Sequence, residues 1–110
     1  MSMPINTKQQ WMFHSDQEIG LEPVPLKVEK QRNSTILKVG RLLEIKLIEY
    51  NRKENTIEAK YTIFDPFDPE DIIKGDVVFK ADSQGGKKWV GFPTQFHGIC
   101  QWTVFPLSPT

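Results

Sequence analysis

His97 and Cys100 stand three positions apart as an H-x-x-C pair, with His14 far upstream. Zinc takes four protein ligands, or three and a water, and two histidines with one thiolate do not supply a structural set. A Cys–His nucleophile would need a third group to orient its base, and Cys100 lies in an apolar run rather than at a helix N-terminus. The stretch Asp65-Pro66-Phe67-Asp68-Pro69-Glu70-Asp71 gathers carboxylates. It lacks the ordered ligand spacing and central glycine of a calcium loop, so it reads as a solvated turn. Gly85-Gly86-Lys87-Lys88 misses both the spacer of a phosphate loop and the hydroxyl after its lysine. It falls between two strand-like runs and fits a hairpin turn. The expectation is a non-enzymatic protein with no catalytic residue, metal or cofactor.

Aromatic residues beside lysines form the more suggestive constellation. Lys80, Lys87 and Lys88 flank a run carrying Phe79, Trp89 and Phe92, and Phe96 and Trp102 follow. Trp89 and Phe92 fall on opposite faces of an alternating segment. Single-stranded nucleic acid needs rings for its bases, worth about 1–3 kcal/mol each, and cations for its phosphates. On that reading Trp89, Phe92 and Trp102 stack, while Lys46, Lys60, Lys80, Lys87 and Lys88 contact phosphate. The competing reading puts the aromatics in the core and the lysines on a solubilising edge. A second candidate is the apolar knot Trp11, Met12 and Phe13 within a polar N-terminal segment. Either it pins that segment onto the domain or it anchors a protein partner or a second subunit.

These residues are positioned by short alternating segments. Residues 1–35 show little periodicity, and Pro4, Pro23 and Pro25 interrupt any long helix, so an extended N-terminal arm is expected. Leu43, Ile45 and Leu47 then alternate with Glu44, Lys46 and Ile48. After the polar pentapeptide 51–55, Ile57, Ala59, Tyr61 and Ile63 alternate with Thr56, Glu58, Lys60 and Thr62. Two such runs around a polar loop predict a long antiparallel hairpin. The Asp/Pro pairs end its second strand, because proline donates no ladder hydrogen bond. Further strands are expected over 72–81, with Gly75 at a bend or bulge, and over 88–93 and 99–106.

The chain of 110 residues suits one domain and can bury a core without disulfides or metal. Its 14 basic and 14 acidic residues cancel. They are unevenly placed: nine cations against five glutamates lie between Lys27 and Lys60, and the acids gather later. A locally basic hairpin suits a polyanion or is simply a solvated face. One cysteine excludes an internal disulfide and makes a reducing compartment the default. The N-terminus has no apolar run of signal length, and no stretch approaches the roughly 20 apolar residues of a membrane helix. A cytoplasmic location is expected.

Ile72-Ile73-Lys74-Gly75-Asp76-Val77-Val78-Phe79, Trp89-Val90-Gly91-Phe92-Pro93 and Val104-Phe105-Pro106-Leu107 follow the long hairpin in order. Over residues 42–107 this series resembles the septation-protein SpoVG family, whose later strands end in proline. The resemblance implies an antiparallel sheet, dimerisation through an edge strand and a basic nucleic-acid-binding surface. Thr94 and Gln95 stand where that family carries polar-basic residues. The whole sequence is therefore expected to be mainly β, with an arm over 1–35 and one β domain over 36–107. That domain would be a curled antiparallel sheet or partly open barrel of about five strands, homodimeric through its edges. Two functions are carried forward: a single-stranded DNA or RNA binder, and a protein-interaction or structural module using the arm and sheet edges.

Overall fold

A computed structural model describes residues 3–16, 23–65, 67–81, 88–94 and 101–107. The chain is mainly β. Its strands are β1 (Trp11–Ser15), β2 (Val24–Gln31), β3 (Ser34–Val39), β4 (Leu43–Asn51), β5 (Thr56–Asp65), β6 (Asp68–Ala81), β7 (Trp89–Gly91) and β8 (Trp102–Pro106). Each pairs antiparallel with its neighbour in sequence, and β1 pairs with β8 to close an eight-stranded barrel. The five-stranded expectation missed β1 and β2 and did not separate β3 from β4. Trp11, Phe13 and Leu26 from that supposed arm are buried in the common core, so β1 and β2 are barrel wall. Pro25 is tolerated in β2 because pairing to β3 starts only at Lys27.

Closure follows from the period of two in the strands. Leu43, Ile45 and Leu47 of β4, Ile57, Ala59 and Tyr61 of β5, and Val77 and Phe79 of β6 all point inward. Their rungs coincide: Ile45 lies opposite Tyr61, Ala59 opposite Val77, and Ile57 opposite Phe79. An eight-stranded barrel is just wide enough for side chains to fill it, and here large rings do so. Phe13 meets Trp102 edge-on with ring centres 5.6 Å apart, and Trp102 meets Tyr61 at 5.0 Å. At the other end, a register shift between Leu47 and Glu49 turns Tyr50 inward, where it packs edge-on against Trp89 at 6.1 Å.

Gly75 is not a bulge. It lies in unbroken register opposite Tyr61, and a Cβ there would collide with the Tyr61 ring. The expected hairpin is present as β4–β5. Asn51 Oδ1 accepts hydrogen bonds from the backbone N–H groups of Lys53 and Glu54, and Asn55 takes φ 54° to finish the turn. The apolar-rich stretch 36–50 is divided at Gly40, whose φ of 55° allows the β3–β4 turn. Ahead of β1, Ile5 is fully buried, and Trp11 Nε1 donates to the Asn6 carbonyl at 3.0 Å. This segment packs against the core at the end where β1 begins.

The antiparallel order places connections alternately at two ends. Turns β3–β4 and β5–β6 share one end. Turns β2–β3 and β4–β5, with the start of β1, share the other.

Candidate interaction surface

The β5–β6 hairpin is built differently from the rest of the wall. β6 runs for 14 residues, yet it pairs with β7 only through Phe79, Lys80 and Ala81. On its other side, β5 reaches β4 only as far as Ile63 opposite Leu43, with one further bond from Phe64 N–H to the Leu42 carbonyl. Beyond that rung, Phe64–Ile72 and Asp65–Asp68 pair on as a two-stranded ribbon. Ile72 and Ile73 point to opposite faces and each is 42% exposed, while their rung partners Phe64 and Ile63 are half-buried and Ile63 packs against the core. At its tip Phe67 is 95% exposed, and Leu42 of the adjoining turn is also exposed. The neighbouring Asp68, Glu70 and Asp71 are exposed acids. The Asp68 carboxylate accepts the Glu70 N–H at 3.0 Å, which shapes the tip locally. At the base, Thr94 Oγ1 accepts the Asp76 N–H at 3.1 Å.

The predicted stacking residues divide. Trp89 and Trp102 are each 2% exposed inside the barrel, so a base cannot reach them while the barrel is closed. Their position on inward registers is the correction: Trp89 lies opposite Val104, and Trp102 opposite Gly91 and Ser15. Phe92 is outward and 54% exposed, close to exposed Val78. Of the apolar knot, Trp11 and Phe13 are core residues, while Met12 points outward between Pro25 and Phe105, half-buried. Trp11 and Phe13 are therefore unavailable to a partner.

The predicted phosphate contacts do not gather into one patch. Lys46 and Lys60 are exposed cross-strand neighbours on β4 and β5, flanked by Ile36 and Asp76. Lys80 lies four residues along β6 from Asp76, about 13 Å at a strand's rise. The exposed outward row between contains Glu49, Glu58 and Val78. Lys88 is exposed at the entry to β7. Lys87, His97 and Cys100 lie outside the described residues. Other cations are occupied: Glu29 Oε2 lies 3.3 Å from Lys38 Nζ and 3.7 Å from Lys27 Nζ.

Topology, however, collects charge by end. Among the described residues, Lys8, Lys30, Arg32, Arg52, Lys53, Lys80 and Lys88 are exposed towards the end of the β2–β3 and β4–β5 turns. Glu49, Glu54 and Glu58 are the acids there. Among the described residues, the hairpin end carries exposed Asp16, Asp68, Glu70 and Asp71, with Arg41 of the β3–β4 turn as a cation there. A neutral chain thus has a cationic end and an acidic, apolar finger.

One open groove of about 320 Å³ lies on the outer wall, lined by His14, Pro23, Lys88, Thr103 and Phe105. His14 and Thr103 share a β1–β8 rung. Sequence reasoning missed both this groove and the finger. The finger had a signal, an aromatic residue set between two Asp/Pro pairs, which was absorbed into a turn. The groove had none, because its residues come from separate strands.

Among the described residues no three His, Cys, Asp or Glu side chains come together to hold a metal ion. No helix among them is long and apolar enough to cross a membrane. Comparison with protein-family profiles, curated proteins and solved structures finds no match, so nothing there bears on the resemblance to the septation-protein family.

Proposed function

We propose that this protein is a non-enzymatic interaction module that presents its β5–β6 hairpin to a protein partner. The observation carrying this reading is the exposure of Phe67 and Ile72 on a ribbon that leaves the barrel, with Ile73 exposed at its base. Folding a closed barrel needs none of these side chains outside it. Apolar groups held in water on a projecting element mark an interaction site once they cluster. Burying such anchors supplies most of the energy of a small interface, with the surrounding acids setting register and partner choice. A membrane suits this finger poorly, because its carboxylates are repelled by anionic lipid surfaces.

Site-specific photo-crosslinking tests the reading. A photoreactive phenylalanine placed at Phe67, in cells that express the protein, should give a discrete protein adduct. The same group at exposed Glu54 should not. Equal adducts from both positions, or none from position 67, would sink it.

A second reading rests on a different observation, the clustering of Arg32, Arg52, Lys53, Lys80 and Lys88 towards one end. That end suits a polyanion such as single-stranded DNA or RNA, held by charge without the buried tryptophans. Fluorescence anisotropy of labelled oligonucleotides at low and moderate salt decides it. Affinity should fall steeply with salt, and salt-insensitive binding, or none, would remove it.

A further inference from the structure

We infer that the outer-wall groove receives the β5–β6 hairpin of a second copy of this chain. This rests on the finger reading above and names its partner.

The groove has the shape and chemistry that the finger lacks. Its apolar floor is Phe105 and Pro23, and Thr103 forms part of the same wall. At one side stands Lys88, next to Trp89, whose rung partner is Val104; Phe105 follows directly. Lys80 shares the outward row that continues through Val90 to Thr103 and His14. Cations therefore border an apolar depression. Among the described residues, the acid nearest in sequence, Asp16, has its carboxylate engaged by the Gln101 N–H at 2.7 Å.

The finger is the complement. Phe67 offers a single aromatic ring at the tip, and Asp68, Glu70 and Asp71 follow it directly. Placing the ring over Phe105 and Pro23 brings those acids towards Lys88 and Lys80. A groove of about 320 Å³ has room for one aromatic side chain. Finger and groove occupy different strands of one barrel, β5–β6 against β7, β8, β1 and the entry to β2, so the contact joins unlike surfaces. Such a contact can repeat from copy to copy.

Sedimentation velocity of the purified protein over a concentration series, at low and high salt, tests this. The wild type should associate with rising concentration, and salt should weaken association by screening the Lys–carboxylate pairs. Phe67→Asp removes the finger, and Lys88→Glu spoils the groove. Both residues are exposed, so circular dichroism should show both variants folded. Each variant alone should be weaker in self-association by about tenfold or more.

An equimolar mixture of the two decides. The intact finger of Lys88→Glu should enter the intact groove of Phe67→Asp and give a one-to-one heterodimer. Self-association of Lys88→Glu alone at wild-type strength would overturn the groove and indicate finger-to-finger contact. A wild type that stays monomeric at the highest soluble concentration would overturn self-recognition altogether. In that case a photo-crosslink from position 67 to a protein of different mass would leave the finger reading standing. Absence of both would end it too.

Discussion

Tyr61 lies across Gly75 and stacks edge-on against Trp102, so one missing side chain on β6 admits a ring layer that spans the barrel. Gly75→Val should force that layer apart and cost about 1–3 kcal/mol, read as a lower urea midpoint with a changed tryptophan emission. An unchanged midpoint would mean that the ring can swing away freely. The tryptophans offer a sharper contrast. Trp102→Ala should lose about 3–5 kcal/mol as a core truncation. Phe92→Ala, on the outer surface, should stay within about 0.5 kcal/mol. Equal effects would contradict the division of aromatics between inside and outside. Alternation in sequence separates Trp89 from Phe92, but it does not say which of two faces is buried. Only closure of the wall decides that.

The β5–β6 ribbon and the β4–β5 hairpin show how differently two turns can serve one strand. The β4–β5 turn is fixed by Asn51 and by Asn55 at positive φ. Replacing Asn55 with valine should cost about 1–3 kcal/mol, because a β-branched residue is strained there, whereas glycine should be tolerated. Thermal unfolding of the two variants checks this, and indistinguishable midpoints would deny the turn its role. The ribbon has a single strand neighbour on each outer rung. Its amides at Ile72 and Asp68 should exchange faster than those at Ile45 and Ala59 in the barrel wall, as read by hydrogen-exchange mass spectrometry. Equal protection would mean the ribbon is packed. The hairpin around residues 51–55 was legible from polar turn residues between alternating runs. The ribbon was not, since proline beside aspartate reads as a strand stop. Here Pro69 sits in the second residue of β6, on a ribbon at the sheet's margin where a missing donor is tolerated.

At the scale of the molecule, closure is the central fact. It joins Trp11 to Pro106 and Ser15 to Trp102 across the ends of the described chain. Pairing β1 with β8 leaves the barrel no free edge between them, so unpaired strand edge for the expected homodimer remains on the β5–β6 ribbon. Deleting residues 1–16 should therefore unfold the protein, not trim an arm. Loss of the far-UV strand signal and of a cooperative thermal transition would be the evidence. A truncated protein with wild-type stability would restore the arm. The same closure distributes charge unevenly in a neutral chain, setting Asp68, Glu70 and Asp71 around the apolar finger, with Arg41 nearby, and most exposed lysines and arginines towards the opposite end.

The sequence by itself determined the mainly β class, the β4–β5 hairpin and which residues of β4 and β5 share a face. Those are local properties, carried by alternation and turn chemistry within a few residues. Tertiary structure alone decided that Trp11 and Phe13 are core, that Trp89 and Trp102 are beyond a ligand's reach, and that Phe67 is not. The physical reason is that β1 gains one of its two neighbours, β8, from residues about ninety positions away. A five-residue strand reveals no inside until the last stave has closed the ring around it.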